Sequence, residues 1–177
     1  MSKALGIIVA TFALLTTGHA LADTATPTDA QIAHIAYTAG QIDVEAGTLA
    51  LKKSQNKDVR AFAQRMVGDH TAVNDQALAL VKKLNVTPED NPTSQSLVDQ
   101  ANAARADLSA LNGAEFDKAY VANEVAFHKT VNDALKTTLI PAAQNPELKS
   151  LLESGLKLFE AHLEHAERLA ETLRSKS

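Results

Sequence analysis

Apolar residues recur along most of the chain at spacings of three and four, the period of a helix with one buried face. No stretch alternates in the way that a half-buried strand requires. The pattern predicts four long amphipathic helices, at about 29–54, 57–84, 114–139 and 146–173. A shorter, more polar helix is predicted at about 94–111, between the second and the third long helix.

The expected helix ends rest on local signals. Asn56 is a predicted N-cap, and the segment 85–93, which contains two prolines, breaks the second long helix. Pro141 is expected to stop the third, and Asn145 followed by a proline and an acid is a typical helix start. Four amphipathic helices with one longer connection predict an all-α, antiparallel four-helix bundle with a short connecting helix between helices 2 and 3.

The first 22 residues have the features of a signal peptide. Lys3 precedes an apolar run that is too short to span a membrane, and the run 20–22 fits a small-residue cleavage pattern. We therefore expect cleavage near Ala22, a flexible segment at 23–28 and a bundle domain at 29–175. The mature protein is expected to be periplasmic or secreted, with no transmembrane segment after the leader is removed.

Composition excludes several classes of function. Without Lys3 the 17 basic residues become 16 against 21 acidic ones, a net charge of −5 with no basic stripe, which argues against binding to nucleic acid. The absence of cysteine excludes disulfides, thiolate metal sites and thiol nucleophiles. Because recognisable nucleophile, phosphate-loop and dinucleotide motifs are also missing, the sequence favours a protein that is not an enzyme.

The second and third long helices share an internal repeat. Residues 66–75 align with residues 124–133 at a fixed offset of 58, and the alignment matches His70 with His128 and repeats a Val-Asn-Asp triplet. Chance is the alternative explanation. If the two segments are related, the two helices present similar faces to a shared interior.

Several polar side chains fall on or beside the apolar helix faces, near the middle of each long helix, when residues are placed at about 100° intervals. The candidates for metal ligands, or for groups that support them, are Glu45, Asp69, His70, Glu124, His128 and His162. In one interpretation they bond to one another and fix the helix register. In the other, imidazoles and carboxylates bind a metal ion, with Glu124 and His128 as the best pair at i, i+4.

The expected cofactor is restricted by the motifs that are absent. Ferritin-like di-iron bundles use two Glu-x-x-His motifs, and no acid in this chain has a histidine three residues later. The di-iron signature is therefore absent. A single divalent metal such as zinc, copper or iron remains compatible with the sequence.

The block Phe62-Ala-Gln-Arg-Met-Val-Gly-Asp-His70, together with Phe116-Asp-Lys-Ala-Tyr120, resembles the DUF4142 family of exported bacterial proteins. The resemblance extends over about 31–173 and implies a ferritin-like fold, an envelope location and no established activity. It carries over Asp69, His70 and His128 by position. The family usually has Met-Val-x-Asp-His on both helices, whereas here Phe127 replaces the second aspartate and Glu124 replaces the methionine.

Two functions remain open from the sequence. One is a bundle that binds a metal ion through an internal cluster of histidines and carboxylates. The other is a non-catalytic envelope protein, with an interaction or stress-protective role and an envelope protein as partner, whose buried polar groups are structural.

Overall fold

The computed structural model describes residues 26–175, and this part of the chain consists of helices and their connections. The five principal helices are α1 (Asp29–Lys53), α2 (Lys57–Lys83), α3 (Pro92–Ala110), α4 (Gly113–Ala134) and α5 (Pro146–Ser175). The predicted leader at 1–22, with its cleavage site, and residues 23–25 of the predicted flexible segment lie outside the described residues. At 26–28 the chain is not helical, and Thr28 caps α1.

The predicted asparagine caps are present. The Asn56 side chain accepts hydrogen bonds from the backbone N–H groups of Asp58 and Val59, and Asn145 does the same for Glu147 and Leu148. Each asparagine thereby satisfies N–H groups that have no acceptor within the first turn of a helix. The starts of α2 and α5 therefore follow from local chemistry.

The short helix α3 begins two residues earlier than predicted. Asn91 caps it by accepting a hydrogen bond from the N–H of Ser94 at 3.1 Å, which places Pro92 in the first turn, where its missing N–H costs nothing. Only Ser94 and Leu108 of α3 are fully buried. This thin buried face agrees with the connecting role predicted for the helix, which lies mainly against α1.

The end of α4 differs from the prediction that Pro141 stops the helix. The chain continues through a π-helical turn at Leu135–Leu139 and a further short turn at Ile140–Ala142, so Pro141 lies inside the helical segment. In the wider turn the N–H of Ile140 bonds to the carbonyl of Leu135, five residues earlier. The wider spacing accommodates a proline that would disrupt a regular α-helical turn.

The apolar interior is divided into two parts. We call the first the packed half; its buried residues are Ala50, Val59, Phe62, Ala63, Met66, Leu108, Phe116, Tyr120, Val121, Ala166, Leu169 and Leu173. The second is the cavity half, because a cavity of about 920 Å³ lies among its side chains. Its buried residues are Ile32, Ile35, Leu135, Leu139, Ala142, Ala143, Leu148, Leu152 and Phe159.

Five buried ionisable residues separate the two halves, and we call them the polar layer. They are Asp43 of α1, His70 of α2, Glu124 and His128 of α4, and His162 of α5. Along α1 and α5 the chain passes from the cavity half through the polar layer to the packed half, and along α2 and α4 it passes in the reverse order. The helix α3 lies between α2 and α4 in the chain, and these two helices run in the same direction.

Glycines allow α1 and α2 to approach closely near the polar layer. A Cβ atom at Gly47 would lie 2.9 Å from a methyl carbon of Val67 and 3.0 Å from the backbone oxygen of Ala63. A Cβ atom at Gly40 would overlap the side-chain oxygen of Asn74. Larger residues would force the helices apart, so the small residues of α1 determine how deeply α2 can reach into the interior.

Candidate metal centre

The polar layer brings together side chains from four helices. Each of its five residues is between 0 and 2% exposed, although each carries an ionisable group. Burying such groups costs free energy unless they are paired or bind a cation. The burial of five ionisable groups in this one layer therefore requires a chemical explanation.

The three histidines of the layer form a nearly regular triangle. The ring centroids of His70 and His128 are 5.6 Å apart, those of His128 and His162 are 5.6 Å apart, and those of His70 and His162 are 5.2 Å apart. One nitrogen of each ring lies within 4.8 Å of the other two. Because the rings come from three different helices, the tertiary packing creates this triangle.

Two of the rings are held by a hydrogen bond at one nitrogen and leave the other nitrogen free. His128 Nδ1 lies 3.0 Å from the backbone oxygen of Glu124, and His162 Nε2 lies 2.9 Å from Oδ2 of Asp69. Within the described part of the chain, His128 Nε2 and His162 Nδ1 have no hydrogen-bond partner. Both acceptors favour a proton on the bonded nitrogen, which leaves a lone pair on the free one.

The third ring, that of His70, is held by packing. The Phe159 ring stacks on it at a centroid distance of 4.6 Å and an interplanar angle of 8°. His70 Nδ1 lies 3.5 Å from Oδ2 of Asp43, and neither ring nitrogen has a hydrogen-bond partner among residues 26–175. His70 is thus oriented by an aromatic neighbour and a nearby carboxylate, with nitrogen atoms available to a ligand.

The environment keeps all three imidazoles neutral near pH 7. Burial, with smaller contributions from His128 and His162, lowers the pKa of His70 to about 2. Burial also lowers the pKa of His128 to about 4, and it lowers the pKa of His162 despite the opposing effect of Asp69. A neutral imidazole is the form that binds metal ions.

The pKa values of the two acids in the layer are shifted upward, in the opposite direction to those of the histidines. Burial, and then the charge of Glu124, raise the pKa of Asp43 well above its usual range. Burial raises the pKa of Glu124 to about 8, although its interaction with the neighbouring Asp43 acts against this rise. Burial and the two acids also raise the pKa of the Tyr120 phenol. Near neutral pH this region therefore holds protonated or proton-sharing acids beside neutral imidazoles.

Two overlapping groups in the layer have the composition and spacing of a metal site. One is formed by His70, His128 and His162, and the other by Asp43, Glu124 and His128, with candidate ligand atoms within 4.8 Å of one another in each group. A tetrahedral zinc ion holds its ligand nitrogens about 3.4 Å apart. The candidate nitrogens of the histidine triangle, which lie within 4.8 Å of one another, would have to move closer together by up to about 1.4 Å per pair to reach that spacing.

The predicted site residues fall into three groups. His70, Glu124, His128 and His162 lie together in the polar layer, and Asp69 contacts it from the side through His162, with 38% of its side chain exposed. Glu45 lies elsewhere: its side chain is 49% exposed and pairs with Arg105 of α3. The physical reason is that the buried face of α1 is rotated away from Glu45.

The sequence-based prediction does not include Asp43, which is the acid that α1 contributes. The small residues Gly40, Gly47 and Ala50, which are buried with Asp43 at spacings of three and four, are the signal that could have identified it. Asn74 and Asn132 are also buried, one turn beyond His70 and His128. The Val-Asn-Asp part of the internal repeat contains both asparagines.

The described helices include none that is long and apolar enough to cross a bilayer. No curated protein matches the sequence. The fold is similar to the crystal structure of a "putative secreted protein DUF305" from Streptomyces coelicolor, with a TM-score of 0.68 and 13% identity over 82% of this chain and 93% of that one. The sequence profile of a domain of unknown function, DUF4142, matches residues 14–169.

Proposed function

The chain belongs to the DUF4142 family, and because that family is described as a domain of unknown function, we propose a function from the site itself. The protein binds a single transition-metal ion between its helices. The ligands are His70, His128 and His162, and the acid pair Asp43 and Glu124 lies beside them as a source of a further ligand or of compensating charge.

The observation that carries this proposal is the convergence of three buried, neutral imidazoles from three helices, with a free nitrogen on each. In a purely structural cluster, buried nitrogens are usually paired with protein groups or ordered water. Here His128 and His162 use one nitrogen for a fixed acceptor and leave the other unpaired. Histidine ligands of metals commonly have this arrangement, in which an outer acceptor fixes the ring.

The donor set limits the metal. Imidazole nitrogens with nearby carboxylate oxygens suit zinc, copper and iron, and the chain offers no thiolate. Glu124 and His128 lie four residues apart, so they do not form the Glu-x-x-His motif of di-iron bundles. We therefore propose a mononuclear metal site with three histidine ligands. The nearby acids Asp43 and Glu124 distinguish this site from one built of imidazoles alone.

The test is a zinc titration of the purified protein in competition with a chromophoric chelator, repeated with cobalt(II), whose visible spectrum reports on coordination. The wild type is expected to bind one equivalent. The variants His128→Gln and His162→Gln are each expected to bind at least tenfold more weakly, because each substitution removes one of three ligands. Circular dichroism verifies that the variants retain their helices.

Two matched variants control for the substitutions. His34→Gln changes a partly exposed histidine that bonds to Ser94, and Glu45→Gln changes the acid that pairs with Arg105. Both are expected to bind zinc as the wild type does. Absence of stoichiometric binding in the wild type, or equal binding in the His128→Gln variant, would exclude the metal site and favour the alternative that the polar layer only fixes helix register.

The proposal extends to topology and location. The four long helices form an antiparallel ferritin-like four-helix bundle: α1 pairs with α2, α4 pairs with α5, and α3 is the crossover between the pairs. The order in which each helix passes the polar layer supports this arrangement. The protein acts in the periplasm or outside the cell after cleavage near Ala22, in line with the description of its structural neighbour.

A further inference from the structure

The cavity half contains a space that the polar layer does not use. Its volume is about 920 Å³, and α1, α2, α3, the end of α4 and α5 all contribute to its wall. Small-molecule sites in proteins commonly have volumes of about 300–1,000 Å³. The space is partly open to solvent, because some of its lining residues, among them Thr137, Thr138 and Pro141, are exposed. The cavity is therefore large enough to hold a small molecule.

The wall of the cavity is uncharged. None of the described residues that line it is an acid, a lysine, an arginine or a histidine, although charged residues make up 21% of the chain. Most of its surface comes from alanine, valine, leucine and isoleucine side chains. Water in such a space finds few partners, and an apolar molecule that displaces it gains free energy.

Several of the polar groups in the wall already have partners within the protein. The hydroxyls of Thr130 and Thr137 donate to backbone oxygens of their own helix, and the Asn91 amide donates to the backbone oxygens of Gln31 and Glu89. The Asn74 amide donates to Gln41 at 3.3 Å. These bonds leave little capacity for recognising a polar or charged ligand, so the wall selects for an uncharged one.

Two features place this cavity among functional sites. The π-helical turn Leu135–Leu139 forms part of its wall, and such turns occur frequently at functional sites. Phe159 lies in the wall and also stacks on His70 of the polar layer. A molecule in the cavity would thus lie one aromatic ring away from the histidine triangle.

We propose that the cavity half binds an uncharged, largely aliphatic small molecule, such as a long-chain alcohol, between α1, α2 and the end of α4. This site is distinct from the histidine triangle and is independent of whether the imidazoles bind a metal. Its specificity comes from the absence of charge in the wall and from the apolar side chains of Val73, Leu135 and Leu152.

The experiment measures binding of the neutral fluorescent probe N-phenyl-1-naphthylamine to the full chain in a chelator-containing buffer, with displacement by 1-dodecanol. The Ala77→Phe variant adds a ring inside the cavity, and Ala79→Phe adds the same ring on the exposed side of the same helix. We expect saturable binding to the wild type and to Ala79→Phe, and at least tenfold weaker binding to Ala77→Phe.

A second filling variant, Ala36→Phe, tests the wall from α1 and keeps the result interpretable if Ala77→Phe unfolds, which circular dichroism would reveal. The proposal is overturned if the wild type shows no saturable, dodecanol-displaceable binding. It is equally overturned if a folded Ala77→Phe or Ala36→Phe variant binds the probe as tightly as Ala79→Phe does.

Discussion

The two halves of the interior are built from the same helices and yet differ in how completely they are filled. In the packed half, the large side chains of Phe62, Met66, Phe116 and Tyr120 are fully buried. The Tyr120 ring makes an edge contact with Phe62 and a stacked contact with Phe116. In the cavity half, leucines of similar burial surround a space of about 920 Å³. The polar layer lies where the two halves meet.

Under the two proposals, the bundle separates the regions that supply stability and binding along its length. Close packing at one end stabilises the fold by burying large apolar side chains in contact with one another. The other end can then be incompletely filled without loss of the fold. The buried histidines and acids lie beside the packed half, where neighbouring side chains exclude water and fix their orientation. On the other side, Phe159 stacks on His70 and separates the layer from the cavity.

The largest expected single loss of stability is at Leu169, one of two matched leucines of α5. Leu169 lies in the packed half and Leu152 in the cavity half, and each is 5% exposed. Leu169→Ala should lower the free energy of unfolding by about 4 kcal/mol and Leu152→Ala by about 2 kcal/mol, because the first creates a new void and the second enlarges an existing space. Urea denaturation measures both. Equal losses would show that the two halves are packed alike.

The decrease of stability at acid pH tests whether the polar layer excludes water as completely as the packed half beside it. The pKa of His128 is about 4 in the folded state and 6.5 in the unfolded state, so only the unfolded chain gains this proton between those values. Stability should therefore fall as the pH decreases from about 6.5 to about 4. Urea denaturation at stepped pH in chelator should show a shallower fall for His128→Gln than for His34→Gln. Identical slopes would contradict the burial of His128.

The change of stability as the pH rises through neutrality tests the acids of the same layer. The pKa of Glu124 is about 8 in the folded state and 4.5 in the unfolded state, so the folded chain holds a proton in this range that the unfolded chain has lost. Stability from this group should decrease as the pH rises from about 4.5 to 8. The Glu124→Gln variant should lack that decrease, while Glu45→Gln should retain it. The control differs because Glu45 is half exposed.

The smallest expected effects concern two glycines: Gly47, in the α1–α2 contact, and Gly68, on an open face of α2. Gly47→Ala should destabilise the protein by about 1–3 kcal/mol, since its Cβ meets the backbone oxygen of Ala63 at 3.0 Å. Gly68→Ala should stabilise it by about 0.5–1 kcal/mol, because nothing lies within 4 Å and alanine favours the helix. Thermal melting compares the two. A neutral Gly47→Ala would show that the helices are less closely packed there.

Local chemistry made much of the fold predictable. The positions of α1, α2 and α5 follow from apolar periodicity, and the starts of α2 and α5 follow from asparagine caps that act within a few residues. The inward orientation of His70, His128 and His162 also follows from helix periodicity, since each falls on or beside an apolar face. These features depend on neighbours one turn away, so the sequence alone determines them.

The rest depends on how the helices meet. Asp43, and not Glu45, enters the site because Gly40 and Gly47 let α2 approach one particular side of α1, and a helix rich in small residues has no strong periodic signal to mark that side. The π-helical turn before Pro141 and the cavity likewise reflect the fit between five helices. Only the tertiary structure decides such features, because the volume left between helices depends on side chains that are far apart in the sequence.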